Sequence, residues 1–181
     1  GDIFEKRWKE ADENEKQQML EQEKKAIMGY EKETEAYKSG IREVIEKEPA
    51  CMNTECPPWY PNLADGIFAE LYGLAGIAPW AYDETEEYEN SSSAKIIGDR
   101  IYCLIGGISQ LQPQRISRER RQQLKRALLM AYPKERVEKG FHEIYLRNGI
   151  RITIYSGDRT KDGQDIMVFR KYIVRELTFE K

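Results

Sequence analysis

Residues 141–174 decide the fold that this sequence predicts, and they read FHEIYLRNGIRITIYSGDRTKDGQDIMVFRKYIV. Apolar residues recur at a spacing of two, which is the period of a β-strand with one buried face. They are Ile144, Leu146, Ile150, Ile152 and Ile154. The Asn148-Gly149 pair between the first two runs is a strong hairpin signal, because both residue types tolerate positive φ. The stretch therefore predicts two or three β-strands, with a second, polar turn after residue 155.

Two arginines lie at the ends of these predicted strands. Arg151 follows the Asn-Gly turn directly, and Arg170 lies near the end of the third run. A guanidinium group keeps its charge at all ordinary pH values and can donate two parallel hydrogen bonds to an oxyanion. We therefore expect the strand ends to present an anion-binding pair, with a partner that lies beyond the end of the chain.

Upstream of this stretch, residues 94–112 predict a β-hairpin or a short meander. Gly98-Asp99 supplies one turn and Gly106-Gly107 a second. Ser117 can cap a helix over residues 118–132, in which apolar residues recur at i, i+3, i+4 and i+7. A second group of strands therefore precedes the first, with a helix between them.

The N-terminal part, residues 2–47, predicts one long charged helix or a pair of helices. A thin apolar stripe runs along it, and Gly29 and Ser39-Gly40 are the expected break points. Such a helix could dock or oligomerise with a partner. The interpretation that we favour is an amphipathic helix packed on its own domain.

Four prolines between Glu48 and Asn62 indicate a linker or rigid loop, since proline fixes φ and donates no backbone hydrogen bond. The predicted division is a helical extension over 1–48, a linker over 49–62 and an α+β domain over 63–181. Within that domain, residues 63–72 predict a helix and residues 83–93 an exposed loop. The predicted fold class is α+β, a small antiparallel sheet with helices packed on one face.

Composition argues against a membrane-spanning chain and a secreted one. The most apolar window, residues 63–82, contains Asp65, Glu70 and Pro79, so it lacks the roughly 20 apolar residues that a spanning helix needs. The acidic N-terminus is not typical of a secretory signal. The first residue is Gly1 and not Met, which indicates a piece of a longer protein.

Charge is divided unevenly along the chain. Residues 51–90 carry eight acidic and no basic side chains, whereas residues 91–181 carry 19 basic and 10 acidic ones. A run of cations in the predicted helix and just before it could form a basic surface that contacts an acidic protein surface, or else the phosphates of a nucleic acid. We favour the protein surface. The residues are Arg115, Arg118, Arg120, Arg121, Lys125 and Arg126.

No complete catalytic site is recognisable in the sequence. A phosphate-binding loop of the form G-x-x-x-x-G-K-[ST] does not occur, and the single histidine has no identifiable catalytic partner. The chain by itself is therefore not expected to hydrolyse a nucleotide. Cys51, Cys56, Cys103 and His142 could in principle bind zinc, but their spacing is a weak match to known zinc sites, and we expect no metal. Three cysteines without a secretory signal favour a reduced, intracellular setting.

Four short motifs follow one another in the second half of the chain. Residues 97–102 read IGDRIY and lead to Gly106-Gly107, the helix over 117–132 comes next, residues 149–151 read GIR, and residues 168–172 read VFRKY. This series, within residues 94–181, resembles the N-terminal domain of the secretion-superfamily traffic ATPases. These are the hexameric motors of type II secretion, type IV secretion and Tad-type pilus assembly.

The resemblance implies a role for the two arginines. In that family the corresponding arginines reach the phosphates of ATP held by a C-terminal motor domain, so Arg151 and Arg170 are the expected phosphate contacts. Lys171 and Arg159 are further candidates. ATP and Mg²⁺ are then expected in the full-length protein, and no cofactor is expected for this piece alone.

The resemblance also implies a set of partners. They are the protein's own C-terminal ATPase domain, neighbouring subunits of a homohexamer, and secretion or pilus machinery at the inner face of the membrane, with a cytoplasmic, peripherally membrane-associated location. Nucleic acid is not the expected partner. The alternative functions are a basic nucleic-acid-binding module and an adaptor that recruits a partner through its N-terminal helix.

Overall fold

The computed structural model describes residues 2–10, 12–82, 85–132, 141–155 and 165–172. The α-helices in these ranges are α1 (Asp2–Glu10), α2 (Glu13–Ile27), α3 (Glu31–Lys47), α4 (Leu63–Leu71), α5 (Ala78–Ala81) and α6 (Arg118–Ala131). The strands are β1 (Ser93–Ile97), β2 (Arg100–Ile105), β3 (Ile108–Arg115), β4 (Phe141–Tyr145), β5 (Arg151–Tyr155) and β6 (Ile166–Arg170). Short 3₁₀ helices span Pro49–Asn53, Ala75–Ile77 and Glu86–Tyr88. The predicted α+β class is confirmed.

The six strands form one sheet in the order β3-β2-β1-β6-β5-β4, and every neighbouring pair is antiparallel. Two meanders, β1 to β3 and β4 to β6, are joined where β6 pairs with β1. The β2–β3 turn needs positive φ at both central positions, which Gly106 and Gly107 supply at 60° and 79°. Both predicted groups of strands are therefore present, in a single sheet.

One face of the sheet carries the hydrophobic core. The alternating residues of the opening stretch, from Ile144 to Ile154, are all at most 4% exposed, as their spacing predicts. Leu124 and Leu128 of α6 and Trp80 of α5 belong to the same core and are fully buried. The predicted helices at residues 63–72 and 118–132 are confirmed as α4 and α6.

The opposite side of the sheet, which we call the second face, carries the alternate side chains of each strand. The strand registers place the following residues there in the four central strands. They are Arg100, Tyr102 and Leu104 of β2, Ser93, Lys95 and Ile97 of β1, Ile166, Val168 and Arg170 of β6, and Arg151, Thr153 and Tyr155 of β5.

The C-terminal end of α2 reaches the hydrophobic core on the sheet. Ile27 and Met28, at the end of α2, lie within it, and the Arg147 amide donates to the Met28 carbonyl over 2.8 Å. The break expected at Gly29 is present, with φ at 89°. The break expected at Ser39-Gly40 is wrong, because α3 runs through it. A glycine costs a helix only about 1 kcal/mol, which the packing of α3 against α2 and α4 offsets.

Where one helix or a pair of helices was expected over residues 2–47, the structure has three, α1, α2 and α3. Asp12 caps α2 by accepting a hydrogen bond from the Glu15 amide over 2.8 Å. The division of the chain into three segments stays a prediction. Tyr60, in the predicted linker, is only 6% exposed and donates to Glu70 over 2.5 Å.

The loop predicted to be exposed over residues 83–93 is exposed only in part; residues 83 and 84 lie outside the described residues, and Glu86, Glu87, Glu89 and Asn90 are exposed. Tyr88 and Ser91 are each 2% exposed. The Tyr88 hydroxyl donates to Gln112 Oε1 over 2.7 Å, and the Trp80 indole donates to the Ser91 carbonyl over 3.1 Å. Composition failed because two residues of a polar segment are held inside by specific hydrogen bonds. None of the helices in the described ranges is long and apolar enough to cross a membrane.

Replacing Ser117 by Ala should lower the free energy of unfolding by about 1 kcal/mol. The Ser117 hydroxyl oxygen accepts a hydrogen bond from the Arg120 amide over 3.1 Å, which caps α6 as predicted. Urea unfolding followed by circular dichroism measures the loss. Ser117→Asp should retain the stability, and Ser109→Ala, at an exposed position of β3, should change it by less than about 0.5 kcal/mol. Equal losses for Ser117→Ala and Ser109→Ala would refute the capping role.

Candidate anion-binding site

Arg151 and Arg170 are cross-strand neighbours. Arg151 is the first residue of β5 and Arg170 the last of β6, and the two are Cα partners in the antiparallel pairing. Residues directly opposite each other on neighbouring strands have Cβ atoms about 5 Å apart and point to the same face. The structure therefore brings the two predicted site residues together on the second face of the sheet.

The position of Arg170 in the centre of the sheet depends on the pairing of β6 with β1. Arg170 is also the Cα partner of Ser93, the first residue of β1. Its side chain is exposed, and the Arg151 side chain is 41% exposed. Both guanidinium groups are accessible to a ligand that approaches the second face.

A carboxylate lies beside this pair. Glu143 of β4 lies with its Oε1 atom 3.5 Å from Arg151 Nε, and the Tyr145 hydroxyl donates to the same oxygen over 3.4 Å. An ion pair between two side chains this exposed contributes little to stability. Within the described ranges no ion pair involves Arg170. Of the side chains that the structure describes, the site therefore carries two cations and one anion.

The net positive charge of the site has a physical consequence. Like charges directly opposite each other on neighbouring strands destabilise the pair. An oxyanion between the two guanidinium groups would relieve that repulsion and accept hydrogen bonds from both. Guanidinium forks match the spacing of phosphate and carboxylate oxygens. The chemistry that this arrangement supports is the binding of a polyvalent oxyanion.

Lys171, a further candidate, lies on the other side of the sheet from Arg170. Its ammonium donates to the carbonyl oxygens of Trp80 and Tyr88, over 2.9 and 2.8 Å. The Nζ atom also lies 4.7 Å from the centroid of the Trp80 ring. These contacts hold Lys171 against the helical layer. Arg159, the other further candidate, lies outside the described residues.

Several cations of the predicted basic surface are engaged inside the fold. Arg121 is 8% exposed and donates through Nη1 to the Gly98 carbonyl, in the β1–β2 turn. Arg120 donates through Nη2 to the carbonyls of Ala69 and Gly73, over 3.2 and 2.7 Å. Burial lowers the pKa of the Arg120 guanidinium. These two arginines therefore tie α6 to its neighbours and do not form an exposed patch.

Of the other four cations, two have partners within the fold and two are exposed on α6. Arg115 donates through Nη1 to the carbonyls of Gln112 and Gln114, over 2.6 and 2.9 Å. Lys125 forms an ion pair with Asp165, with Nζ and Oδ2 3.2 Å apart. Arg118 and Arg126 are exposed on α6. The sequence pattern missed these internal partners, because they lie on segments distant in sequence or on backbone carbonyls.

The four candidate zinc ligands are not grouped. In the described part of the chain, no three His, Cys, Asp or Glu side chains are placed so that they could hold a metal ion. Cys103 lies in the core, where burial raises the pKa of its thiol to about 12.

The chain has a partial similarity to a known structure. No protein-family model matches the chain, and no curated protein matches it. Among solved structures, the chain is similar to the VirB11 ATPase from the Brucella suis type IV secretion system, solved in complex with sulfate. The TM-score is 0.46 at 15% sequence identity, and the match covers 57% of this chain and 30% of that chain.

Proposed function

We propose that this chain is the regulatory and assembly domain of a hexameric secretion or conjugation ATPase, and that Arg151 and Arg170 contact the phosphates of ATP. The observation that carries the proposal is the cross-strand pairing of these two residues on the second face. The order of the sequence motifs also supports it, since the resemblance implies that both arginines correspond to the phosphate-contacting positions of that family.

In this proposal the chain supplies only half of the nucleotide site. ATP and Mg²⁺ are held by a motor domain that follows this chain, and the two guanidinium groups bind the terminal phosphates from the opposite side. Because a γ-phosphate adds charge and acceptor oxygens, it strengthens this contact, and its loss weakens it. The contact therefore biases the domain toward a closed arrangement only while ATP is intact.

The wider setting follows from the same proposal. The partners are the motor domain, the neighbouring subunits of the hexamer and secretion or pilus machinery at the inner face of the membrane, and the location is cytoplasmic. The nucleic-acid alternative is less well supported, because Arg120 and Arg121 use donors of their guanidinium groups on backbone carbonyls. A polyanion that tracked α6 would find fewer accessible cations than the sequence suggests.

Tripolyphosphate, which has the charge and spacing of the ATP tail, should bind the 181-residue chain at this pair. Arg170→Ala should weaken binding about tenfold, since hydrogen bonds to charged groups contribute more than ordinary ones. Arg170→Lys should give an intermediate loss, because lysine keeps the charge but not the fork. The measurement is a titration followed by NMR of the arginine Nε–H groups, in which the signals of Arg151 and Arg170 should move.

The matched control is Arg118→Ala, which removes an exposed arginine from α6 and should leave tripolyphosphate binding unchanged. If Arg170→Ala bound tripolyphosphate with wild-type affinity, the proposed phosphate contact would be refuted. A single-stranded oligonucleotide that bound more tightly than tripolyphosphate, with an affinity that fell steeply with salt, would favour the nucleic-acid-binding module.

A further inference from the structure

The last residues of β6 alternate strictly between the two faces of the sheet. Val168 and Arg170 belong to the second face, with Lys95 and Ser93 as their β1 partners. Phe169 is fully buried and packs edge-on against Trp80, with ring centroids 6.4 Å apart. Lys171 contacts the same tryptophan. The two neighbouring cations of the strand end therefore point in opposite directions, one to the second face and one into the helical layer.

The ammonium of Lys171 joins two segments that are far apart in sequence from it. Its acceptors are the Trp80 carbonyl, in the last turn of α5, and the Tyr88 carbonyl, at the end of a 3₁₀ helix. Carbonyl groups at the ends of helices lack intrahelical partners and carry partial negative charge. A cation that accepts no hydrogen bonds and donates three is well matched to them.

Backbone contacts complete the attachment. The Lys171 amide donates to the Ser92 carbonyl over 3.0 Å, which carries the β6–β1 pairing one residue past Arg170. The Trp80 indole donates to the carbonyl and the hydroxyl oxygen of Ser91, over 3.1 and 3.0 Å. Lys171, Trp80 and the segment before β1 are thus joined to one another by side-chain and backbone contacts. Arg170 is the residue next to Lys171.

We propose that Lys171 is the positioning residue for Arg170: it holds the end of β6 to the helical layer and does not contact the phosphate itself. This inference rests on the proposed function, because it concerns the same site. It changes the role expected for Lys171 from a second phosphate contact to an anchor. In this arrangement Lys171 stabilises the end of β6, and its neighbour Arg170 binds the phosphate.

The first test needs no substitution. In the wild-type chain, Arg170 Nε–H and the Lys171 ε-methylene group are followed by NMR during a titration with tripolyphosphate. We expect the Arg170 signal to move and the Lys171 signal to stay in place. A Lys171 signal that moved with the same saturation curve as that of Arg170 would show direct contact and overturn the anchor role.

The second test uses Lys171→Met, which keeps the length of the side chain and removes the ammonium. We expect tripolyphosphate affinity to fall about fivefold, the ratio that corresponds to losing one ordinary hydrogen bond. The ¹⁵N heteronuclear NOE of the Arg170 amide should fall in the same variant. Lys171→Arg should restore both values in large part, because it keeps the cation. An unchanged NOE and an unchanged affinity in Lys171→Met would overturn the inference.

Failure of the proposed function gives a different result from failure of this inference. If neither Arg170 nor Lys171 responds to tripolyphosphate, the phosphate contact is wrong. The anchor role is then decided by the NOE of the Arg170 amide in Lys171→Met alone, where a fall supports the anchor and no change refutes it. Arg118→Met, at an exposed position of α6, is the control and should leave that NOE unchanged.

Discussion

Trp80→Ala should lower the free energy of unfolding by about 3 to 5 kcal/mol, the range for removing a large aromatic side chain from a core. Trp80 is fully buried and packs against Phe169. Its indole donates to Ser91, and its ring lies beneath the Lys171 ammonium. The substitution therefore leaves a cavity, two unpaired acceptors on Ser91 and a cation without its aromatic neighbour. Chemical denaturation followed by circular dichroism measures the loss.

Trp59→Ala is the matched control, because it removes the same side chain from a different environment. Trp59 is only partly buried, and its Nε1 atom has no hydrogen-bond partner among the described residues. We expect a loss of about 1 kcal/mol, near the centre of the distribution for single substitutions. If Trp59→Ala lowered the free energy of unfolding as much as Trp80→Ala, the contacts specific to Trp80 would not account for its effect on stability.

Gly76→Ala should destabilise the protein by about 1 to 3 kcal/mol, the usual cost of overpacking a core. A Cβ atom on Gly76 would lie 2.6 Å from Ile101 Cδ1 and 2.9 Å from Gln114 Cβ. Ile101 and Gln114 are each 1% exposed, so neither side chain has room to withdraw. The 3₁₀ helix that contains Gly76 must then move away from the sheet. Thermal and urea unfolding of the variant measure the effect.

Gly40→Ala is the same chemical change as Gly76→Ala, but it should stabilise the protein. Gly40 lies inside α3, and a Cβ atom there would meet nothing within 4 Å. Since alanine is favoured over glycine in a helix, the variant should be more stable by about 0.5 to 1 kcal/mol. Two Gly→Ala changes with the same sign of effect would contradict the packing argument at Gly76.

Local sequence patterns correctly predicted the strand faces and helix starts that depend on residues close together in the chain. The spacing of Ile144 to Ile154 predicted a buried strand face, and Ser117 predicted the start of α6. The pattern failed at Gly40, where the low helix propensity of one glycine is outweighed by the contacts of α3. It failed again at Tyr88, since composition does not reveal that a distant glutamine accepts its hydrogen bond.

The candidate site could be predicted in part. The motifs around Arg151 and Arg170 identified both residues, and a hairpin between β5 and β6 makes them neighbours. Lys171 was expected as a further phosphate contact, whereas the structure places it on the side of the sheet opposite to Arg170. What the sequence could not supply was the identity of the groups that Lys171 meets there, or the burial of Arg121 in a run of cations that otherwise predicts a surface.

The sequence by itself determined the strands, the turns and the α6 cap of this protein, because a period of two, a pair of glycines and a capping serine act over a few residues. Only the tertiary structure decided which arginines and lysines are available to a ligand. Lys171 meets carbonyls 91 and 83 residues away, and Arg120 meets carbonyls 51 and 47 residues away. Those contacts form when distant segments pack together and β6 pairs with β1, so no local pattern encodes them.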